Sequence, residues 1–326
     1  MKRNNTISAS SAGAFATCPR RFFYSHELGW QPAVEARALT FGKAWHGFLE
    51  RLAAGDENPI ETMVESAEGF DELTEMEAGT LYAYAQAFLD RYHLPKIKSE
   101  VTFRDRVDGS RFIVTGRIDG VTEDGRIVEY KTTSSSIAPE SDYWLRLKHN
   151  LQVLLYAYAA QPGSRSSAAY FVMRKPTLRP VQVPVLDAEG RKIVIDISTG
   201  ARALNKDGSP RQSAGAGLEV QTREETADEF SQRLYCDISR RPEFYFAAKE
   251  VPLHGAEILQ ALDDIYVIVR EVQLLRRLEK HHPRREHVWR RNCSEFNCAH
   301  CPYRPICLDT DYETASGVPE GFTARA

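Results

Sequence analysis

The sequence predicts an α/β fold in which a mixed central sheet is flanked by helices. Three observations predict it. From Phe41 onward the chain runs helix, three strands, helix, strand, an order that places helices against a sheet. The apolar residues switch along this stretch from helical spacing to strand alternation. Between Gly116 and Lys131, the residues Gly-Arg-Ile-Asp-Gly-Val-Thr-Glu-Asp-Gly-Arg-Ile-Val-Glu-Tyr-Lys have the form of a β-hairpin.

Taken in order, Ser8 to Ala16 and Pro19 to Leu28 read as short helices around Cys18. Phe41 to Ala53 is an amphipathic helix containing His46, and Leu73 to Tyr92 is another. Glu100 to Val107, Arg111 to Val121 and Arg126 to Thr132 are strand-like. Ser141 to Ala160 predicts one strong helix with Ser141 as its N-cap. Ala168 to Arg174 reads as a buried strand. Val181 to Val185 and Lys192 to Ile197 predict a second hairpin around Asp187-Ala188-Glu189-Gly190. Thr199 to Gly217, rich in Gly, Ser and Ala, predicts a long loop. Glu224 to Ser239 and Ala256 to His281 follow as helices, with a strand near Phe244 to Val251 between them. Thr310 to Ala326 predicts a loosely ordered tail. There is no internal repeat.

The 326 residues suffice for one large domain or a core with appended elements. The division expected is an N-terminal helical segment (1–40), a core (41–180) and a stretch of hairpin, long loop and accessory helix and strand (181–255). A C-terminal helix with a cysteine cluster (256–310) and a tail (311–326) complete it. Hydrophobic and charged fractions of 42% and 27% are those of an ordinary globular protein. No apolar run approaches the roughly 20 residues of a membrane span, and the Met-Lys-Arg-Asn-Asn start lacks a signal peptide's apolar stretch. A cytoplasmic location without membrane partners is the expectation. The net charge of −3 excludes indiscriminate attraction to nucleic acid, so any such contact needs a local patch. The best one lies between Arg276 and Arg291 and includes Arg284, Arg285, Arg290 and Arg291. Such a run also suits a solvated helix face.

The hairpin carries the chemistry. A three-residue loop of Glu123-Asp124-Gly125, with glycine at its left-handed last position, pairs residues whose numbers sum to 248. Asp119 then sits opposite Glu129, and Lys131 lies two residues on, on the same face. A two-residue Asp124-Gly125 loop would instead pair Asp119 with Tyr130. Adjacent carboxylates repel unless a cation lies between them, and Mg²⁺ is typically held by one or two carboxylates plus water and phosphate. A neighbouring ammonium can orient a water or steady charge developing on a phosphate. These are the parts of metal-assisted phosphodiester hydrolysis. A surface hairpin with scattered charge is the plainer reading.

Gln152 and Tyr156 lie four apart and share a helix face. His46 stands four residues after Gly42 on an otherwise apolar helix, where a satisfied core histidine and a metal ligand are the two readings. Glu100 is a further candidate carboxylate. Four of the six cysteines crowd into Cys293, Cys298, Cys301 and Cys307. In a cytoplasmic chain such crowding points to metal rather than disulfides. Only one Cys-x2-Cys is present where a zinc ribbon offers two. Cys18, in Cys-Pro-Arg-Arg-Phe-Phe-Tyr, is the candidate for a distant ligand.

Together these motifs resemble the RecB-like branch of the PD-(D/E)xK nuclease superfamily, which includes the iron–sulfur exonucleases of CRISPR adaptation and of recombination, among them phage and bacterial members. The resemblance spans Cys18 to Cys307. His46 matches the family's Gly-x3-His, Asp119 its metal-binding aspartate, Glu129 and Lys131 its Glu-x-Lys, and Gln152 and Tyr156 its Gln-x3-Tyr. Cys18, Cys298, Cys301 and Cys307 resemble the cluster cysteines, with Cys293 an alternative to Cys298.

The resemblance implies a restriction-endonuclease-like core with a 4Fe–4S cluster tying the chain ends together. It implies that Asp119, Glu129, the Tyr130 backbone carbonyl and His46 hold Mg²⁺ or Mn²⁺, that Lys131 assists the attacking water, and that Gln152 and Tyr156 position substrate. The expected partners are DNA ends or single strands, with recombination or CRISPR-adaptation proteins beside them. Phe22, Phe23 and Tyr24 suit core packing better than base stacking. Two rivals are a non-catalytic DNA-binding module with a vestigial acidic site, and a nuclease whose Cys293, Cys298, Cys301 and Cys307 form a zinc knot.

Overall fold

The computed structural model describes residues 5–34, 37–66, 73–95, 97–160, 167–308 and 313–325. Its elements begin with β1 (Thr6–Ile7), α1 (Ala9–Thr17), α2 (Pro19–Phe22), a π-turn (Phe23–Glu27), β2 (Trp30–Pro32), α3 (Arg37–Ala53), α4 (Pro59–Ser66) and α5 (Glu75–Leu89). The strands β3 (Ile97–Arg106), β4 (Ile113–Thr122) and β5 (Ile127–Thr133) follow, then α6 (Asp142–Leu147), α7 (Leu151–Ala159) and β6 (Ser167–Arg174). Short strands β7 (Gln182–Pro184), β8 (Val194–Asp196), β9 (Leu218–Val220) and β10 (Thr222–Glu224) lead to α8 (Ala227–Arg240) and α9 (Pro242–Tyr245). The chain closes with β11 (Phe246–Pro252), α10 (Gly255–Leu278), α11 (Arg285–Val288), α12 (Glu295–Ala299), α13 (Arg304–Leu308) and β12 (Phe322–Ala324).

Six strands make the mixed sheet, in the order β1-β4-β5-β6-β11 with β3 also on β4. Only β1–β4 and β5–β6 are parallel. The inner strand β6 is largely apolar on both faces, as a strand covered on both sides must be, whereas β4 and β5 each place charged residues on one face. Along β5 and β6 the faces alternate. Val128, Tyr130 and Met173 enter a core with α3, α5 and α8, while Ile127, Tyr170 and Val172 enter one with α6 and α7. The expected α/β architecture is therefore present. Among the described residues no helix is long and apolar enough to cross a membrane.

A third core joins the two chain ends. Phe22 and Phe23 stack on Trp289, and Tyr24 stacks on Trp30; all five rings are almost fully buried. The packing expectation for Phe22, Phe23 and Tyr24 holds. Trp289 donates its indole N–H to Glu279 at 2.8 Å, and Arg20 Nε donates to the Trp289 carbonyl at 2.9 Å. The bonds satisfy a buried carboxylate and a buried guanidinium that would otherwise be costly.

Three expectations need correction. The single helix from Ser141 to Ala160 is two helices, because Asn150 leaves the helical path and caps α7, accepting from the Val153 N–H at 3.3 Å. Ser141 precedes α6 but makes no capping bond with its side chain. The second hairpin survives only as a turn, with Ile193 N–H bonded to the Val185 carbonyl and a Leu186–Lys192 bridge. Beyond it, β7 pairs with β10 and β8 with β9. The Thr199 to Gly217 loop is present as expected, with no helix or strand between β8 and β9, and isolated bridges at Ile195–Arg202 and Leu204–Pro210 pin it. The tail is not loose where it is described: β12 pairs antiparallel with β2, and Phe322 stacks on Tyr303. Residues 309–312 and 326 of that segment lie outside the described residues.

Candidate functional site

The hairpin turn sets the site's register. Gly120 pairs with Val128 and Val121 with Ile127, so facing residues sum to 248 as the three-residue loop requires. Gly125 has φ +81°, the left-handed conformation that this loop assigns to glycine. Continuing that register brings Asp119 level with Glu129.

The strands part at that level. β3 runs the full length of β4 on one edge, so β1 and β5 must share the other. β1 takes Ile113 and Val114; β5 takes Gly120 and Val121. The edge between them opens a cleft of about 580 Å³, lined among others by Ser8, His46, Arg117, Asp119, Gln152 and Tyr156. Tyr130 turns its N–H across the gap to Asp119 Oδ2 at 3.0 Å. In an extended strand a residue's N–H and C=O point to the same edge. The Tyr130 carbonyl accordingly faces the Asp119 side.

Strand alternation puts Glu129 and Lys131 on the α7 face and the Tyr130 ring on the α3 face. Glu129 is wholly buried. One of its oxygens accepts from Lys131 Nζ, and Oε2 has no partner. Burial, and then the Asp119 charge, push the Glu129 carboxyl up to about 7 against the pull of Lys131. Lys131 also donates to Gln152 Oε1 at 2.9 Å, and Gln152 Nε2 donates to the Tyr156 hydroxyl at 2.7 Å. The break before α7 matters here, since it lets Gln152 enter in the first turn of a helix aimed at the cleft. Gly116 leaves room for the far end of this chain: a Cβ there would lie 2.9 Å from the Tyr156 ring and 2.5 Å from Phe103.

His46 approaches from α3, its Nδ1 3.8 Å from Asp119 Oδ2. Burial lowers its pKa, so the ring favours the neutral form that ligates metal. Two neighbours were not legible as site residues. Glu50, one helical turn after His46, has its carboxyl pushed up by burial and then by the charges of Glu100 and Asp119. Arg117, two residues before Asp119 on the same strand face, holds Glu100 at 2.9 Å. The signals available were the i+4 and i−2 spacings from residues already singled out. Glu100 itself has φ +53°, a conformation that side chains rarely adopt, at the position level with Asp119 on the other strand.

Among the described residues no three His, Cys, Asp or Glu side chains gather closely enough to hold a single metal ion. For Asp119, Glu129 and His46 this still fits a magnesium-type site. Such ions keep several waters and use one or two carboxylates plus substrate phosphate, rather than a closed protein cage. The unpartnered buried Oε2 of Glu129 is the atom that a cation would satisfy.

The five candidate cysteines do converge. Cys18, Cys293, Cys298, Cys301 and Cys307 line one hollow between the chain ends, ringed by Arg21, Arg291 and Arg304. Cys293 is exposed and the other four are half-buried. Burial raises the Cys301 and Cys307 thiols, opposed by the charges of Arg21 and Arg291 respectively.

The basic run is largely occupied. Arg284 meets Glu286 and Glu313, Arg285 meets Glu279, and Arg290 meets Glu271. Arg291 faces the cysteine hollow. The segment is also broken into α10, a 3₁₀ turn and α11, so it presents no continuous basic face.

Residues 6–308 match the family model of the PD-(D/E)XK nuclease superfamily. No curated protein matches the chain by sequence. Among solved structures, the crystal structure of SSO0001 is 13% identical, with a TM-score of 0.33, covering 94% of this chain and 88% of that one. A protein from Eubacterium rectale described as a candidate exonuclease is 11% identical, with a TM-score of 0.38, covering 79% of this chain and 82% of that one.

Proposed function

The chain belongs to the PD-(D/E)XK nuclease superfamily, and we propose that it is a metal-dependent DNA exonuclease of the RecB-like branch, acting at DNA ends or on single strands. The observation that carries this reading is Glu129: a fully buried carboxylate with one free oxygen, beside Asp119 and in contact with Lys131. Burying such a group costs several kcal/mol unless a charge compensates it, on the order of the penalty known for buried ions. A surface hairpin would not place it there.

In this reading Asp119, Glu129, His46 and the Tyr130 carbonyl hold Mg²⁺ or Mn²⁺. When bound, the ion lowers the pKa of a water and screens charge on the phosphate. Lys131 orients that water or stabilises the negative charge that develops on the phosphoryl oxygens. Gln152 fixes the ammonium, and Tyr156 fixes Gln152. Arg117, exposed at the cleft mouth, supplies a cation for the backbone of the incoming strand. The exonuclease and RecB-like assignments rest on the motif order, which also relates the protein to recombination, repair or CRISPR adaptation.

We assign the cysteine hollow to a 4Fe–4S cluster held by Cys18, Cys301, Cys307 and Cys298, with Cys293 in reach. Four or five thiols spread around one hollow suit a cluster better than a single zinc ion, which draws its thiolates together at short distance. Arginines around it complement a thiolate-rich group. Anaerobically purified protein should be brown, and Cys18→Ser should bleach it; a colourless protein that keeps zinc in Cys18→Ser supports the zinc knot instead.

The test of function is digestion of end-labelled single- and double-stranded DNA with Mg²⁺, Mn²⁺ or EDTA. Metal-dependent release of label that disappears in Asp119→Ala is the expected result. Binding without cleavage under all conditions would establish the non-catalytic alternative.

A further inference from the structure

The 24-residue helix α10 buries Ala261, Ile265, Val269 and Val272 on one side, against α1 and α7. Among the described residues its opposite side has no partner, yet it is apolar. Leu259 is 64% exposed, Val267 56%, Leu274 47% and Tyr266 42%. These residues recur at helical spacing and form one stripe. A stripe of that kind on a surface helix marks an interaction face rather than scattered exposure. Asp263 and Arg270, both exposed, interrupt it, and the Arg270 guanidinium lies over the Tyr266 ring.

The order of these residues selects the occupant. Lay a second copy of the helix antiparallel, with a two-fold axis passing between Tyr266 and Val267. Leu259 then faces Leu274, Asp263 faces Arg270, and Tyr266 faces Val267, each pair occurring twice by symmetry. Apolar meets apolar and acid meets base at these three levels; Leu278, 51% exposed one turn beyond Leu274, lies outside them, level with Gly255. A closed two-fold interface needs a surface complementary to itself, and this stripe is. A partner of unrelated sequence would have no reason to make the charges symmetric about the stripe's centre.

We propose that the protein forms a two-fold dimer through α10, with paired leucines at the ends of the interface and reciprocal Asp263–Arg270 ion pairs nearer its centre. The ion pairs fix register and direction, because a parallel pairing would set like charges together and a slipped one would bring charge against apolar side chains.

Sedimentation of the full chain, without nucleic acid, from about 1 to about 100 µM should show a concentration-dependent shift to twice the chain mass, as a small interface predicts. Asp263→Arg alone and Arg270→Asp alone each set like charges together twice, and each should weaken the dimer at least about 100-fold. The double variant Asp263→Arg/Arg270→Asp should restore it, since exchanging the charges preserves self-complementarity. That rescue separates a lost interface from a misfolded chain. A single-chain mass throughout the range overturns the proposal, as does a dimer indifferent to both single reversals or one that the double variant fails to restore.

Discussion

Lys131 Nζ donates to Gln152 Oε1 at 2.9 Å, so a side chain on a strand is aimed by one on a helix across the core. Gln152 is in turn held by Tyr156 at 2.7 Å. Removing Lys131 as Ala should abolish metal-dependent cleavage. Gln152→Ala should leave the ammonium in place but unaimed, lowering kcat about 10- to 100-fold with KM little changed. Steady-state kinetics on a labelled single strand separate the two, and an equal loss in both variants would mean that Gln152 does more than position Lys131.

Gly116 offers a test from outside the polar chain. Its alanine variant would press a methyl group against Tyr156 and Phe103. We expect kcat to fall about tenfold, with a modest loss of stability, as the Tyr156–Gln152–Lys131 line is displaced. Unchanged turnover would show that the rings yield without disturbing Gln152.

Glu129 makes the site pH-dependent. Its carboxyl is raised from 4.5 to about 7, so the metal-free folded chain keeps a proton that the unfolded chain has already released. The resulting stability is fully present below the ordinary carboxyl range and is lost as pH rises through about 7. Metal-free melting temperature should therefore decline over that window, and Glu129→Gln should flatten the decline while abolishing activity. Calorimetric titration with Mn²⁺ should release a proton below pH 7 and none well above it. A pH-independent proton count would contradict the burial of this group.

His26, packed on Phe22 at the chain-end core, is pulled down to about 4, chiefly by burial. A folded histidine that resists protonation stabilises the protein above its ordinary pKa. That contribution is lost as pH falls from about 6.5 toward 4. His26→Phe should extend stability to lower pH in urea titrations, with little effect at pH 8.

Trp289 clasps the two chain ends through Phe22, Phe23, Glu279 and Arg20. Trp289→Ala should destabilise by about 3–5 kcal/mol, since it leaves a cavity and strips a buried carboxylate of one of its donors. Chemical denaturation of cofactor-free protein reads this directly. If stability is unchanged there, the clasp does not hold the chain ends together.

The sequence by itself determined much of the machinery. Alternation and the Glu123-Asp124-Gly125 loop reduced the hairpin register to two choices, because side-chain period and turn geometry are local properties, and the structure has the three-residue one. The Glu-x-Lys and Gln-x3-Tyr spacings likewise placed Glu129 with Lys131 and Gln152 with Tyr156 on common faces. Tertiary structure decided what these residues meet. Asn150 broke an otherwise helical run, a local competition that propensity alone did not resolve. The slot between β1 and β5, the orphaned oxygen of Glu129, and the approach of Glu50 and Arg117 depend on contacts between distant segments. So does part of the fate of the basic run, where folding brings Glu313 to Arg284 and Glu271 to Arg290 beside the local acids Glu279 and Glu286. The tail became a strand for the same reason: Phe322 has no local partner, and Tyr303 and β2 supply one. Charge and burial are set by neighbours in space, and the sequence orders neighbours only along the chain.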